Sequence, residues 1–144
     1  MSRRRRVLTE ETLGAWLVKA APAGLSMTEV MSTGFATVTS RCVRPSYRTA
    51  LVRAGQPVLL WLSGRDPDHP AGIHAHGRTT GPASDEMPVQ LEPVDPVVTR
   101  QQVLAVPGLA GAEVLRMPAG SNPSFLDVEQ YLALQQAFRQ LVQP

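Results

Sequence analysis

Apolar residues along the chain fall mostly in short runs rather than in long helical periods, which points to strands joined by turns. Ala15–Ala20 reads as a first strand, stopped by Pro22 and Gly24. Phe35–Cys42, rich in Thr and Val, suits a second. In the stretch PVLLWLSG at 57–64, Val58, Leu60 and Leu62 share one side, and Leu59, Trp61 and Ser63 share the other. Two apolar faces mark a central strand. Ile73–Thr80 is a further strand, with Ile73, Ala75 and Gly77 on one face and His74, His76 and Arg78 opposite. Met87–Val98 alternates less cleanly, and Pro93 and Pro96 argue for an edge strand or a kink. Ala112–Arg116 reads as a last strand.

Helices are short until the end of the chain. Ser26 is placed to cap Met27–Met31, which Gly34 ends. Pro45 forces a turn, after which Ser46 suits the cap of a helix over Tyr47–Ala54 with Gly55 beyond it. Thr99 suits the cap of a short helix to Val106. The C-terminal helix has the strongest signals. Asp127 as N-cap with Gln130 three residues on makes a capping box, and Leu126 and Tyr131 make a hydrophobic staple. Tyr131, Leu134, Phe138 and Leu141 then form a stripe that must lie on the sheet. Short strands interspersed with short helices, without regular βαβ alternation, indicate an α+β fold with a curled, mixed sheet. The 144 residues fit one domain, expected over residues 14–144 behind a disordered basic tail at 1–13.

Composition adds the compartment and the charge map. A single cysteine, Cys42, excludes an internal disulfide and thiolate metal clusters, and fits a reducing cytoplasm. The opening MSRRRR is followed at once by Glu10 and Glu11, with no export-type apolar segment, and no stretch approaches the roughly 20 apolar residues of a membrane helix. Arg3–Arg6 read as a solvated tail or an auxiliary phosphate-binding arm. Net charge is only +2, but between Glu29 and Asp66 five arginines (Arg41, Arg44, Arg48, Arg53, Arg65) meet no carboxylate. Residues 84–95 carry four carboxylates and no base. Either one face is strongly basic, or these charges neutralise each other across the fold.

Most catalytic chemistries find no support. No Walker loop, G-x-G-x-x-G or nucleophile elbow is present. His74 and His76 have no third ligand at a characteristic spacing, so no metal and no cofactor is expected. Cys42 reads as a small apolar residue, although Arg41 and Arg44 beside it would favour its thiolate. What remains is Tyr47, Trp61 and several arginines close in sequence to Ser63. Aromatic faces stack on bases for about 1–3 kcal/mol each, and arginines hold phosphates. The plain alternative is that Tyr47 and Trp61 are core residues.

The order of motifs resembles the EVE domain family of the PUA-like superfamily, related to YTH, ASCH and SRA-type base readers. The matching residues are Trp16-x-x-Lys19-x-x-Pro22, then Val43-Arg44-Pro45-Ser46-Tyr47-Arg48, then Gly55-Gln56 before Trp61-Leu62-Ser63. Gly72-Ile73-x-Ala75-x-Gly77 follows, and Asn122-Pro123-Ser124-Phe125 leads into the final helix. The similarity spans most of residues 14–139. It implies a PUA-like small mixed β-barrel of five to six strands, with short peripheral helices and a C-terminal helix. It also implies a pocket for a flipped, modified base, notably a modified cytosine, in DNA or RNA. On that resemblance Trp61 and Ser63 are pocket residues, Trp16 and Lys19 line or support it, Asn122 closes one side, and Arg44 and Arg48 meet phosphate.

This chain departs from the family pattern at Ala20 and Ala21, at Ser40 and Arg41 where many members carry a tryptophan, and at Gln56 where an acid is usual. Ser40 and Arg41 thereby become candidate ligand contacts. Two readings follow, an altered ligand or a retained fold without base recognition. The expectation is a non-enzymatic nucleic-acid-binding module. The alternatives are an ASCH-like amidohydrolase acting on an acylated cytidine, with Lys19, Ser63 and Glu92 as its polar groups, and a structural or partner-binding domain.

Overall fold

The computed structural model describes residues 7–143. Arg3–Arg6, expected as a basic tail, lie outside the described residues. The packed chain begins earlier than the sequence boundary at residue 14: Leu8 is buried and the first strand starts at Leu13.

Six strands form one sheet. They are β1 (Leu13–Ala20), β2 (Ser40–Cys42), β3 (Pro57–Leu62), β4 (Gly72–Thr79), β5 (Glu86–Thr99) and β6 (Ser124–Asp127), in the spatial order β2-β5-β4-β3-β1-β6. Only β1 and β3 run parallel, with Trp16 opposite Val58 and Lys19 opposite Trp61; the other pairings are antiparallel. The result is the expected α+β class, a six-stranded mixed sheet curled into a half-barrel with β2 and β6 at its two ends.

Strict alternation on β1 and β3 builds a core on each face of the sheet. Trp16, Val18, Val58, Leu60 and Leu62 join Val30, Phe35, Val43 and Met87 on one side. Ala15, Leu17, Leu59 and Trp61 join Val103, Val114, Tyr131, Leu134 and Leu141 on the other. The helices α2 (Arg100–Ala105), α3 (Glu113–Arg116) and α4 (Val128–Ala137) supply this second core, while α1 (Met27–Ser32) supplies Val30 to the first.

The caps expected at Asp127 and Thr99 form, whereas Ser26 precedes α1 without a side-chain cap bond. Asp127 accepts from the Gln130 amide at 2.8 Å while Gln130 Oε1 accepts from the Asp127 amide at 3.0 Å, and Thr99 makes the same box with Gln102. Of the expected stripe, Tyr131, Leu134 and Leu141 are buried and Phe138 partly so, but the helix ends at Ala137 and Leu141 lies in a following 3-10 turn.

Several elements differ from the sequence pattern. The second strand is only three residues long, because Gly34 and Phe35 both adopt left-handed φ and turn the chain before it can extend. Tyr47–Ala54 is not an α-helix but a loop with one 3-10 turn at Thr49–Leu51. Thr49 Oγ1 donates to the Ser46 carbonyl, and Gln56 holds the far end through the Leu51 carbonyl and the Arg53 amide. Ala112–Arg116 contains the helical turn α3 rather than a strand, a distinction that alternation over so few residues cannot make.

β5 is internal where β2 covers it at Glu86–Pro88, and becomes an edge over the stretch holding Pro93 and Pro96. A register shift in β4 between Ile73 and Ala75 puts them into different cores, against the expectation of one shared face. Gly77 faces β5 so closely that a Cβ would collide with the Gln90 carbonyl.

Candidate functional site

A concavity of about 930 Å³ among the described residues lies at the β6 end of the sheet. One wall is the loop after β2, which brings Arg44, Ser46, Tyr47 and Arg48. The opposite wall is α3 and the residues after it, with Glu113, Arg116 and Met117. Asn122, Pro123 and Phe125, with Val7, Leu8 and Thr12, also line it. The loop and β6 are tied by the Arg44 amide, which donates to the Asn122 carbonyl at 2.8 Å.

A two-point ion pair crosses this cleft. Arg48 Nη1 and Nη2 donate to Glu113 Oε1 and Oε2, both at 2.7 Å. Nη1 also reaches the Pro123 carbonyl at 3.0 Å, and the guanidinium lies 4.9 Å from the Phe125 ring centroid. Ser124 Oγ donates a further bond to Glu113 at 3.0 Å. The Arg48 guanidinium accordingly holds the Glu113 carboxyl below the usual carboxylate range, and Glu113 raises Arg48 in return.

Lys19 sits behind this network. It is largely buried at the end of β1, its Nζ donates to the Met117 carbonyl at 3.3 Å, and Gly120 packs against it. Burial pushes its amine below the ordinary lysine value, while Glu113 pulls the other way. Asn122 is committed to the same strand: its Oδ1 accepts from the Lys19 amide at 2.8 Å and its Nδ2 donates to the Lys19 carbonyl at 2.9 Å.

The sequence-derived site residues therefore divide. Arg44, Arg48 and Asn122 line the one cleft, and Lys19 lies behind it. Trp61 does not: it is 3% exposed and packed among Leu17, Leu59 and Ile73 in the second core, so it offers no open face to a ligand. Trp16 is fully buried on the opposite face, its indole N–H donating to Gln56 Oε1 at 2.7 Å. The Ser63 amide and hydroxyl turn back to the Ala20 carbonyl. Ser40 and Arg41 line a separate, smaller cavity, where Ser40 also reaches Glu86 at 3.3 Å. Arg48, expected to meet phosphate, spends both terminal nitrogens on Glu113 and instead holds the cleft walls together.

The charge map resolves into a mixture of its two readings. Arg48 and Arg53 are neutralised by Glu113 and Glu10, both distant in sequence, whereas Arg41, Arg44 and Arg65 make no ion pair among the described residues. The proposed acid for the amidohydrolase reading, Glu92, sits opposite His76 on β5, with β4 and β3 between it and Lys19. Among the described residues no group of three or more His, Cys, Asp or Glu is placed to hold a metal.

Sequence reasoning passed over Glu113, Arg116 and Phe125. Phe125 stood inside the Asn-Pro-Ser-Phe motif. Glu113 was signalled only indirectly, by the need of an acid-free arginine segment for a distant carboxylate. Arg116 gave no signal.

No family model and no curated protein matches the chain. Two solved structures share its fold. One is the NMR structure of Rpa0253 from Rhodopseudomonas palustris, at a TM-score of 0.68 and 16% identity over 91% of this chain and 97% of that one. The other is a hypothetical protein from Leishmania major, at 0.64 and 14% identity over 89% and 96%. The likeness extends over nearly the whole of each chain, so the half-barrel and its helices form one shared architecture. No helix among the described residues is long and apolar enough to cross a membrane.

Proposed function

We propose that this protein binds nucleic acid through the cleft between the Arg44–Arg48 loop and α3, taking a base against Tyr47 and neighbouring phosphates on Arg44 and Arg116. The observation that carries the reading is the placement of Tyr47, which is 53% exposed and lines the same cleft as Arg44 and Arg116, two arginines without an ion pair among the described residues. An exposed aromatic ring beside cationic side chains is the combination that stacks a base and follows its backbone. The resemblance to the EVE domain family makes a flipped, modified cytosine the first base to try. Flipping costs a few kcal/mol, an amount that stacking and edge hydrogen bonds offset. With Trp61 in the core, Tyr47 replaces it as the stacking surface in this proposal.

The test is titration of short DNA and RNA strands, with and without modified cytosines, at two salt concentrations. Two phosphate contacts give a slope of log affinity against log salt of at least about −1.4 on single strands. Absence of binding to every strand, or binding indifferent to salt, overturns the proposal.

A second reading is favoured by one observation. Lys19, its amine lowered by burial, lies within electrostatic reach of Glu113, which supplies the carboxylate that Glu92 is too remote to provide. Release of free cytidine from N4-acylated cytidine, abolished in Lys19→Ala, would mark an amidohydrolase instead of a binding module.

A further inference from the structure

The smaller cavity, about 350 Å³, lies between α1 and the Thr37–Arg41 segment. Its lining is rich in hydroxyls, from Ser26, Thr37, Thr39 and Ser40. Ser26 precedes α1 but its side chain caps no amide of the helix, so its hydroxyl is not consumed there. Arg41 contributes the cationic side chain. Its Nε is fully buried and has no hydrogen-bond partner, and the residue makes no ion pair among the described residues. Glu29 also lines the cavity, from the exposed side of α1, and does not pair with Arg41.

A buried guanidinium N–H without an acceptor is costly, and such groups are rarely left unpaired. Nε can only donate, as can the rest of the guanidinium, so the missing partner is an acceptor. Ser40 is turned to Glu86, but the hydroxyls of Ser26, Thr37 and Thr39 line the same cavity and add donors of the kind a tetrahedral oxyanion takes. The position of the cavity narrows the source of that oxyanion. Arg41 and Arg44 are three residues apart on an extended segment, at most about 11 Å of chain. Arg44 lines the large cleft and Arg41 the small one. The two cavities therefore flank one short stretch of chain, a length comparable to the span of a few nucleotides.

We infer that Arg41 and the cavity it lines form a second phosphate subsite, occupied by the backbone phosphate of a nucleotide neighbouring the one held in the larger cleft. This rests on the nucleic-acid reading of that cleft, and it makes the ligand an oligonucleotide rather than a free nucleoside.

The experiment compares a single nucleoside monophosphate with a strand of about eight nucleotides, a length within the range that small binding domains cover. Both are titrated against the wild type, Arg41→Gln, Arg41→Lys and Arg44→Gln over a range of salt. Arg41→Gln is expected to weaken the oligonucleotide about tenfold, to reduce the salt slope by about 0.7, and to leave the mononucleotide unaffected. Arg41→Lys keeps the charge and is expected to keep the salt slope, which separates loss of a phosphate contact from loss of the fold. Arg44→Gln is expected to weaken both ligands. Unchanged oligonucleotide affinity and slope in Arg41→Gln would overturn the subsite while leaving the cleft reading in place. Equal weakening of both ligands in that variant would also overturn it, by placing Arg41 in the same site as the base. A wild type that binds neither ligand removes the cleft reading and the subsite with it.

Discussion

Arg48 and Glu113, 65 residues apart in the chain, meet through two parallel hydrogen bonds of 2.7 Å and join the two walls of the cleft. Their side chains are only 22% and 17% exposed, so the pair is largely shielded from solvent. Removing one partner leaves the other charge half-buried and unpaired. Glu113→Gln is therefore expected to cost about 2–3 kcal/mol of unfolding free energy, toward the lower end of the effect for broken buried pairs. Denaturant unfolding measures it. A cost below about 0.5 kcal/mol would place the pair with ordinary surface salt bridges.

The same pair sets an acid response. Glu113 has a folded-state pKa lowered from 4.5, so its contribution is complete above the ordinary carboxylate range and is lost as pH falls through the lowered value. Histidines act at higher pH. His74 and His76 are buried, and desolvation lowers both from 6.5. His74 Nε2 donates to the Pro70 carbonyl at 2.7 Å, and His76 Nδ1 is buried with no hydrogen-bond partner among the described residues. Because the folded state resists charging them, stability should be full above about pH 6.5 and fall as pH drops below it. Melting temperature recorded from about pH 5 to 8 checks this, and His76→Asn should flatten the upper part of the fall.

Tyr47 and Trp61 should respond oppositely to substitution. Trp61→Ala empties a core position and is expected to cost about 3–5 kcal/mol of stability. Tyr47→Ala removes an exposed ring and should leave the melting temperature within about a degree. In strand-binding assays Tyr47→Ala should lose about 1–3 kcal/mol. If Tyr47→Ala binds as the wild type does, the stacking surface has been misplaced.

Gln56 ties Trp16 to its loop through an amide donor that an acid at that position would lack. Gln56 Oε1 accepts from the Trp16 indole and from the Arg53 amide, while its Nε2 donates to the Leu51 carbonyl at 3.0 Å. A carboxylate lacks that donor. Gln56→Leu strands the buried indole N–H and should destabilise by about 1–3 kcal/mol, read by thermal or denaturant unfolding. Gln56 is thus built into the loop that replaces the expected Tyr47–Ala54 helix.

The sequence by itself determined what depends on near neighbours. Alternation placed β3 and its two apolar faces, because side-chain direction on a strand follows from chirality and pleat alone. The box at Asp127 and the cap at Thr99 were legible because a cap and the amide it serves lie three residues apart. Gly77 was legible as a motif residue, although the reason for it, the close approach of β5, was not.

Tertiary structure decided which face met what. Trp61 and Ser63 are two residues apart on one strand, yet the helices α2 to α4 cover that face and turn a candidate pocket wall into core. Arg48 could not be told from Arg44 in the sequence, because its partner Glu113 arrives only when α3 folds over β6. Site formation here is a matter of non-local pairing, in which a distant carboxylate decides which arginine keeps its charge available. That leaves Arg44 facing the cleft and Arg41 facing its own small cavity, a division that no local pattern encodes.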